Sequence, residues 1–134
     1  MMTQLTPGQK ATLSKTFTEA DLVAFADASG DHNPVHLDDA YAQTTRFGKR
    51  IAHGMLVAGL ISAVLGTQLP GPGTIYLGQE LSFKAPVFIG DTITAEIEVA
   101  SVREGKPIAI LKTNCYNQEG AIVIEGKATV LVPA

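Results

Sequence analysis

The run His53–Gly66 constrains the fold of this chain more than any other stretch. From Gly54 to Leu65 it holds no charged side chain, and apolar residues fall on almost every side of a helix drawn through it. A helix that is apolar all round belongs inside a protein rather than on its surface. Gly54, Ala58, Gly59, Ser62 and Ala63 keep this one slim, so a sheet can pack closely around it. At 1.5 Å per residue it would be about 20 Å long, enough to run across a small sheet. It is too short to span a bilayer, which takes about 20 apolar residues.

The sequence that follows supplies the sheet. Pro70-Gly71-Pro72-Gly73 is a turn cluster. Beyond it lie four strand candidates, Thr74–Lys84, Thr92–Val102, Ile108–Tyr116 and Ala121–Val132. Ile93, Ala95, Ile97 and Val99 alternate with Thr94, Glu96 and Glu98, the signature of a half-buried antiparallel strand. Glu104-Gly105-Lys106-Pro107 and Asn117–Gly120 read as hairpin breaks. Upstream, Thr12–Phe17 is a short strand candidate. Thr18 is placed to cap a helix over Glu19–Ala28, with Asp21 completing a near-capping box. Gly30 suits a left-handed end to that helix, and Asp38 or Asp39 can open a second short helix through about Thr45. The reading is α+β, with an antiparallel sheet and one very apolar helix to fill its concave face.

Length and composition narrow the function. At 134 residues the chain fits a single domain over its whole length. Its charged content of 17% and net charge of −3 argue against a nucleic-acid-binding module, which carries an excess of basic residues. They leave room for a small anionic ligand at a local basic cluster. Cys115 is the only cysteine, so no internal disulfide can form, as in a reducing compartment. Met1–Ala11 is polar and has no signal-peptide core. The expectation is a soluble cytoplasmic protein that binds neither nucleic acid nor membrane.

The chemistry concentrates in Gly30-Asp31-His32-Asn33-Pro34-Val35-His36. A carboxylate and an imidazole lie five residues apart, across a proline that disfavours a regular helix between them. Asp31 and His36 on one rigid turn can share proton-transfer work on one substrate. An alternative is a metal site, because His32 and His36 are four apart. Helical metal pairs need that spacing on one face, and Pro34 between them opposes it. No metal is expected. The plain structural reading is that Asp31 is a turn former and His36 a hydrogen-bonded structural histidine.

These residues, followed by Asp38 and Ala42, resemble the signature of MaoC-like (R)-specific enoyl-CoA hydratases. The resemblance continues through Ile51-Ala52-His53-Gly54-Met55 and through Leu81-Ser82-Phe83-Lys84-Ala85-Pro86-Val87 to Gly90-Asp91. It covers most of the chain, in the same order of elements. The length suits the short bacterial members that supply (R)-3-hydroxyacyl-CoA for polyhydroxyalkanoate synthesis. The resemblance implies a hot-dog fold, usually as a homodimer. Its activity would be reversible hydration of trans-2-enoyl-CoA, with coenzyme A entering only as part of the substrate and no cofactor. Asp31 and His36 would be the catalytic pair, and Gly54 would give a backbone N–H to the thioester oxygen.

The residues themselves fit those roles. Hydration needs water delivered to Cβ, a proton delivered to Cα and stabilisation of an enolate-like oxygen. Histidine titrates near working pH without large tuning. If His36 lies just before a helix N-terminus, the partial positive charge there keeps it neutral. The first N–H groups of a helix lack partners, so one starting near His53 offers the Gly54 N–H. The expected substrate-binding set is Asn33, Ser62, Met55, Arg50 and Lys84. Asn33 also orders the turn. Ser62 either bonds back to its own helix or makes a polar contact in the pocket. Met55 is a core residue or part of the acyl channel. Arg46, Lys49 and Arg50 form a basic cluster that is either a solvated loop or a handle for coenzyme A phosphates, with Lys84 a second candidate. His53 is read as a helix-start residue that shapes the loop. Two readings compete with hydration: an acyl-CoA thioesterase on the same architecture, and a non-catalytic acyl-CoA-binding accessory subunit. Release of free coenzyme A would mark the first, and tight acyl-CoA binding without conversion the second.

Overall fold

A computed structural model describes residues 4–134. Five strands, β1 (Lys10–Thr16), β2 (Ile75–Phe83), β3 (Thr92–Val102), β4 (Ile108–Tyr116) and β5 (Ile122–Leu131), form one antiparallel sheet in the order β1-β3-β4-β5-β2. Four helices precede β2: α1 (Glu19–Ser29), α2 (Pro34–Leu37), α3 (Asp39–Gln43) and α4 (Gly54–Thr67). This is the hot-dog arrangement, with α4 lying on the concave face against β1, β3 and β4.

The alternation in β3 does what its pattern demands. Ile93, Ala95, Ile97 and Val99 are all buried against Val57, Ile61, Val64 and Leu65 of α4 in one continuous core. β1 begins two residues before the expected Thr12. Lys10 is drawn in by its pairing with Glu98, a register that periodicity within β1 does not reveal. No helix among the described residues is long and apolar enough to cross a membrane.

α4 is not covered on every side. Met55, Gly59 and Ser62 are exposed, spaced three to four residues apart along one stripe. They face a shallow groove bounded by Tyr76, Leu77 and Gln79 of β2. β2 is an edge strand, and Ile75, Tyr76 and Leu77 on it are exposed as well. The expectation of a fully buried helix therefore holds for the face toward β3 and fails for the face toward β2.

Candidate active site

The segment between α1 and α4 builds the site one turn at a time. Thr18 caps α1 in a reciprocal capping box with Asp21. Gly30 ends α1 at φ 84°, a left-handed conformation that suits glycine. The chain reverses there, and the Asp31 carboxylate accepts from the Asn33 N–H at 3.2 Å. Asn33 then caps α2, its side-chain oxygen accepting from the Val35 N–H at 3.1 Å. Pro34 takes the first position of α2, where a missing N–H costs nothing. A single helical turn thus runs through the proline and carries His36 in its last turn. No helix spans Asp31 to His36, as the proline implies, but a short turn begins at Pro34 itself and includes His36, which also lies two residues before Asp38, the N-cap of α3.

His36 is held from two directions. Its Nδ1 donates to the Ile51 carbonyl at 2.7 Å, so in the neutral ring Nε2 carries the lone pair. Its own carbonyl accepts from Arg50 Nε at 2.8 Å. Burial is the largest influence on the ring and pushes its pKa below the usual 6.5. The proximity of His53 adds to that shift, while the Ile51 hydrogen bond and the Asp31 charge oppose it. Burial thus favours the neutral form of His36.

Asp31, His36, His53 and Gly54 share one cleft of about 480 Å³, within the usual range for a small-molecule site. Val57, Val87, Val123 and Ile124 give it apolar walls, while Phe47, Phe83, Met55 and Lys84 also border it. His53 caps α4 without a side-chain hydrogen bond, which leaves the first N–H, that of Gly54, free at the cleft. An imidazole, a carboxylate and an unpaired backbone donor thus surround one partly apolar space.

Three titratable groups meet here: one ligand-type atom each from Asp31, His36 and His53 lie within 4.8 Å of one another. The two imidazoles are stacked, with centroids 3.9 Å apart and planes 28° from parallel. Near-parallel rings at that spacing cannot both aim in-plane lone pairs at one ion about 2.0–2.1 Å away. The geometry suits two aromatic faces in contact better than a metal centre.

The remaining sequence-predicted residues divide. Lys84 is exposed at the cleft, and Met55 borders both the cleft and the groove beside β2. Asn33 serves as the α2 cap rather than lining the cleft. Ser62 faces the β2 groove instead. Arg50 is only 7% exposed, and its guanidinium bonds Glu19 at 2.7 Å as well as the His36 carbonyl. It is a clamp joining α1 to α2, not a handle at the mouth, because the cluster's loop turns it inward while Arg46 and Lys49 stay outside. Lys49 lies over the Phe88 ring at 4.4 Å. His53, Phe47 and Phe83 were missed as site residues. For His53 the available signal was its place immediately before the glycine that opens α4.

Replacing Arg50 with Met should therefore act on stability. Leaving a buried carbonyl and its charged partner without the guanidinium costs about 2–3 kcal/mol, or a fall in Tm of roughly 10 °C for a domain of this size. Thermal unfolding would show it, and affinity for a coenzyme A thioester should change less than twofold.

The chain matches the MaoC like domain family over residues 3–119. The chain belongs to this family. As a MaoC-like domain it is 58% identical over 126 residues to the (R)-specific enoyl-CoA hydratase of Aeromonas caviae, covering 94% of each chain. It is 57% identical over 127 residues to the enzyme of that name from Rhodospirillum rubrum, covering 95% of this chain and 88% of that one. Its fold superposes on the solved structure of the (R)-hydratase from A. caviae involved in PHA biosynthesis with a TM-score of 0.94 at 57% identity, over 96% of this chain and 98% of the other.

Proposed function

We propose that this MaoC-like domain is an (R)-specific enoyl-CoA hydratase, adding water reversibly to trans-2-enoyl-CoA to give (R)-3-hydroxyacyl-CoA. The observation that carries the reading is the single cleft shared by the Asp31 carboxylate, neutral His36 and the open N-terminus of α4. Near-full-length identity to enzymes of that name supports the substrate class. The physiological role would be supply of hydroxyacyl-CoA to polyhydroxyalkanoate synthesis or a step of fatty-acid breakdown.

The mechanism follows from which atoms can accept. A water between Asp31 and His36 donates one O–H to the carboxylate and the other to Nε2, and its oxygen lone pair faces Cβ. As the C–O bond forms, one of the two acceptors takes a proton. The alkene electrons move onto the thioester oxygen, which the Gly54 N–H stabilises. Collapse of that enolate takes the proton back at Cα, so the elements of one water are added and both side chains return to their starting states. The step is redox-neutral and calls for no cofactor. Exposed Lys84, Lys49 and Arg46 are the cations available to coenzyme A phosphates.

Purified protein given crotonyl-CoA should abolish the conjugated enoyl absorbance without releasing free thiol. Thiol release in step with that loss would favour hydrolysis and overturn the reading. Because His36 must be neutral to accept, burial sets the acid limb of kcat/KM below pH 6.5. The same shift links to stability: it is full above pH 6.5 and is lost as pH falls through the folded-state value. A pH profile of kcat/KM and thermal unfolding across pH 7 to 5 would check both.

The working form would be a homodimer in the cytoplasm. The open stripe of α4 and the exposed apolar residues of edge strand β2 form one surface that a second copy can cover. Light scattering at micromolar concentration should give twice the chain mass, and a single monomeric species would refute the dimer. Buried Cys115, its thiol pushed up to about 12, suits an inert reduced cysteine.

A further inference from the structure

His53 is 1% exposed and touches three parts of the site at once. Its Nε2 donates to the Asp31 main-chain carbonyl at 3.0 Å. Its ring lies against His36 on one contact and against Phe25 of α1 on another, with centroids 3.9 Å and 4.7 Å away. It is also the N-cap of α4, one residue before Gly54. Its Nδ1 is buried with no hydrogen-bond partner among the described residues. A buried polar atom left unpaired is a cost. A leucine or phenylalanine would avoid that cost, so packing alone does not account for an imidazole here.

We propose that His53 is a positioning residue that ties the Asp31 main chain to the start of the central helix and so sets the distance between the carboxylate and the Gly54 N–H. The inference rests on the hydratase reading, because only there must water and thioester oxygen be held at once by those two groups. Asp31 itself is exposed, and its carboxylate is fixed in the structure through the Asn33 N–H. Without the His53 hydrogen bond, no described side chain anchors the Asp31 carbonyl. The stack then braces His36 on the other side of the water. A misplacement of about 1 Å at a reacting centre can cost on the order of 10²-fold in rate.

Two substitutions separate the hydrogen bond from the bulk. In His53→Gln the amide nitrogen stands the same number of bonds from the main chain as Nε2 and can still donate to the Asp31 carbonyl. In His53→Phe the ring remains and the donor is gone. His53→Leu, also without a donor, takes its place if the phenylalanine variant does not fold. With crotonyl-CoA, kcat should fall at least tenfold in the donor-free variant with KM within twofold, and Gln should restore kcat to within about threefold of the parent. Exchange of the Asn33 amide, followed by NMR, should quicken in the donor-free variant and stay near the parent rate in His53→Gln. Equal kcat and unchanged Asn33 exchange in the donor-free variant would overturn the proposal. So would a Gln variant as impaired as the donor-free one. If the parent protein does not hydrate crotonyl-CoA, the hydratase reading falls, and the exchange comparison still decides whether His53 holds Asp31 in place.

Discussion

Asp31→Asn and His36→Gln should each lower kcat by about 10²–10⁴-fold, the range a positioned acid or base contributes. Both are near-isosteric, so loss of fold does not account for the effect. Asparagine keeps an oxygen to accept from the Asn33 N–H, and exposed Asp31 has little burial to lose. Glutamine at position 36 is harder to seat. Its amide nitrogen does not match the place of Nδ1, and the Ile51 carbonyl loses its donor. That variant should lose some thermal stability besides turnover, about 1–3 kcal/mol for the unsatisfied carbonyl. In the proposed mechanism the two groups hold one water, so the two deficits should not multiply: removing either leaves it misdirected, and the double variant should be little worse than the poorer single one. Steady-state rates on crotonyl-CoA, with circular dichroism on each variant, check this. Near-normal turnover in either single variant would remove the mechanism.

How much of this could be read without the structure depends on the range over which each residue acts. The helix α4, the strands β2 to β5 and the α1 cap were legible because their signals are local: an apolar run, period-two alternation, a threonine three residues before an aspartate. The Asp31–His36 pair was legible because both sit on one short turn. What escaped were contacts across sequence distance. Nothing local to Arg50 says that it turns inward to bond the His36 carbonyl and Glu19, 31 residues away. From its neighbours Arg46 and Lys49 it reads as one more surface cation. His53 is similar, since its partners Asp31, His36 and Phe25 belong to elements that meet it only after the chain folds back. Ser62 was rightly placed on α4, but its facing residue comes from β2, and which side of the helix β2 would leave open was not in the periodicity. The short helix that opens at Pro34 is hidden for another reason: proline reads as a helix breaker, while its tolerance at a first helical position is the property that applies.

Gly54→Ala should cost about 10²–10³-fold in kcat/KM while leaving stability nearly unchanged, a separation that follows from what the new methyl group meets. A Cβ at this position would stand 2.6 Å from Cε1 of Phe83. That is far inside contact distance, yet the ring is 53% exposed at the end of β2 and can swing outward. Alanine is also a better helix former than glycine, which offsets part of any strain at this first turn of α4. Catalysis has no such escape. In the proposed mechanism the new methyl group stands beside the path by which a thioester oxygen reaches the Gly54 N–H, and the Phe83 ring it pushes aside also borders that cleft. An oxygen held away from that donor loses the stabilisation that one oxyanion contact provides, on the order of 3 kcal/mol. Truncating the ring as well, in Gly54→Ala with Phe83→Ala, should recover part of the rate by clearing one of the two obstructions. Recovery of the full rate would place the whole effect in the aromatic ring rather than the backbone donor. An unchanged kcat/KM in Gly54→Ala alone would show that the oxygen is stabilised elsewhere.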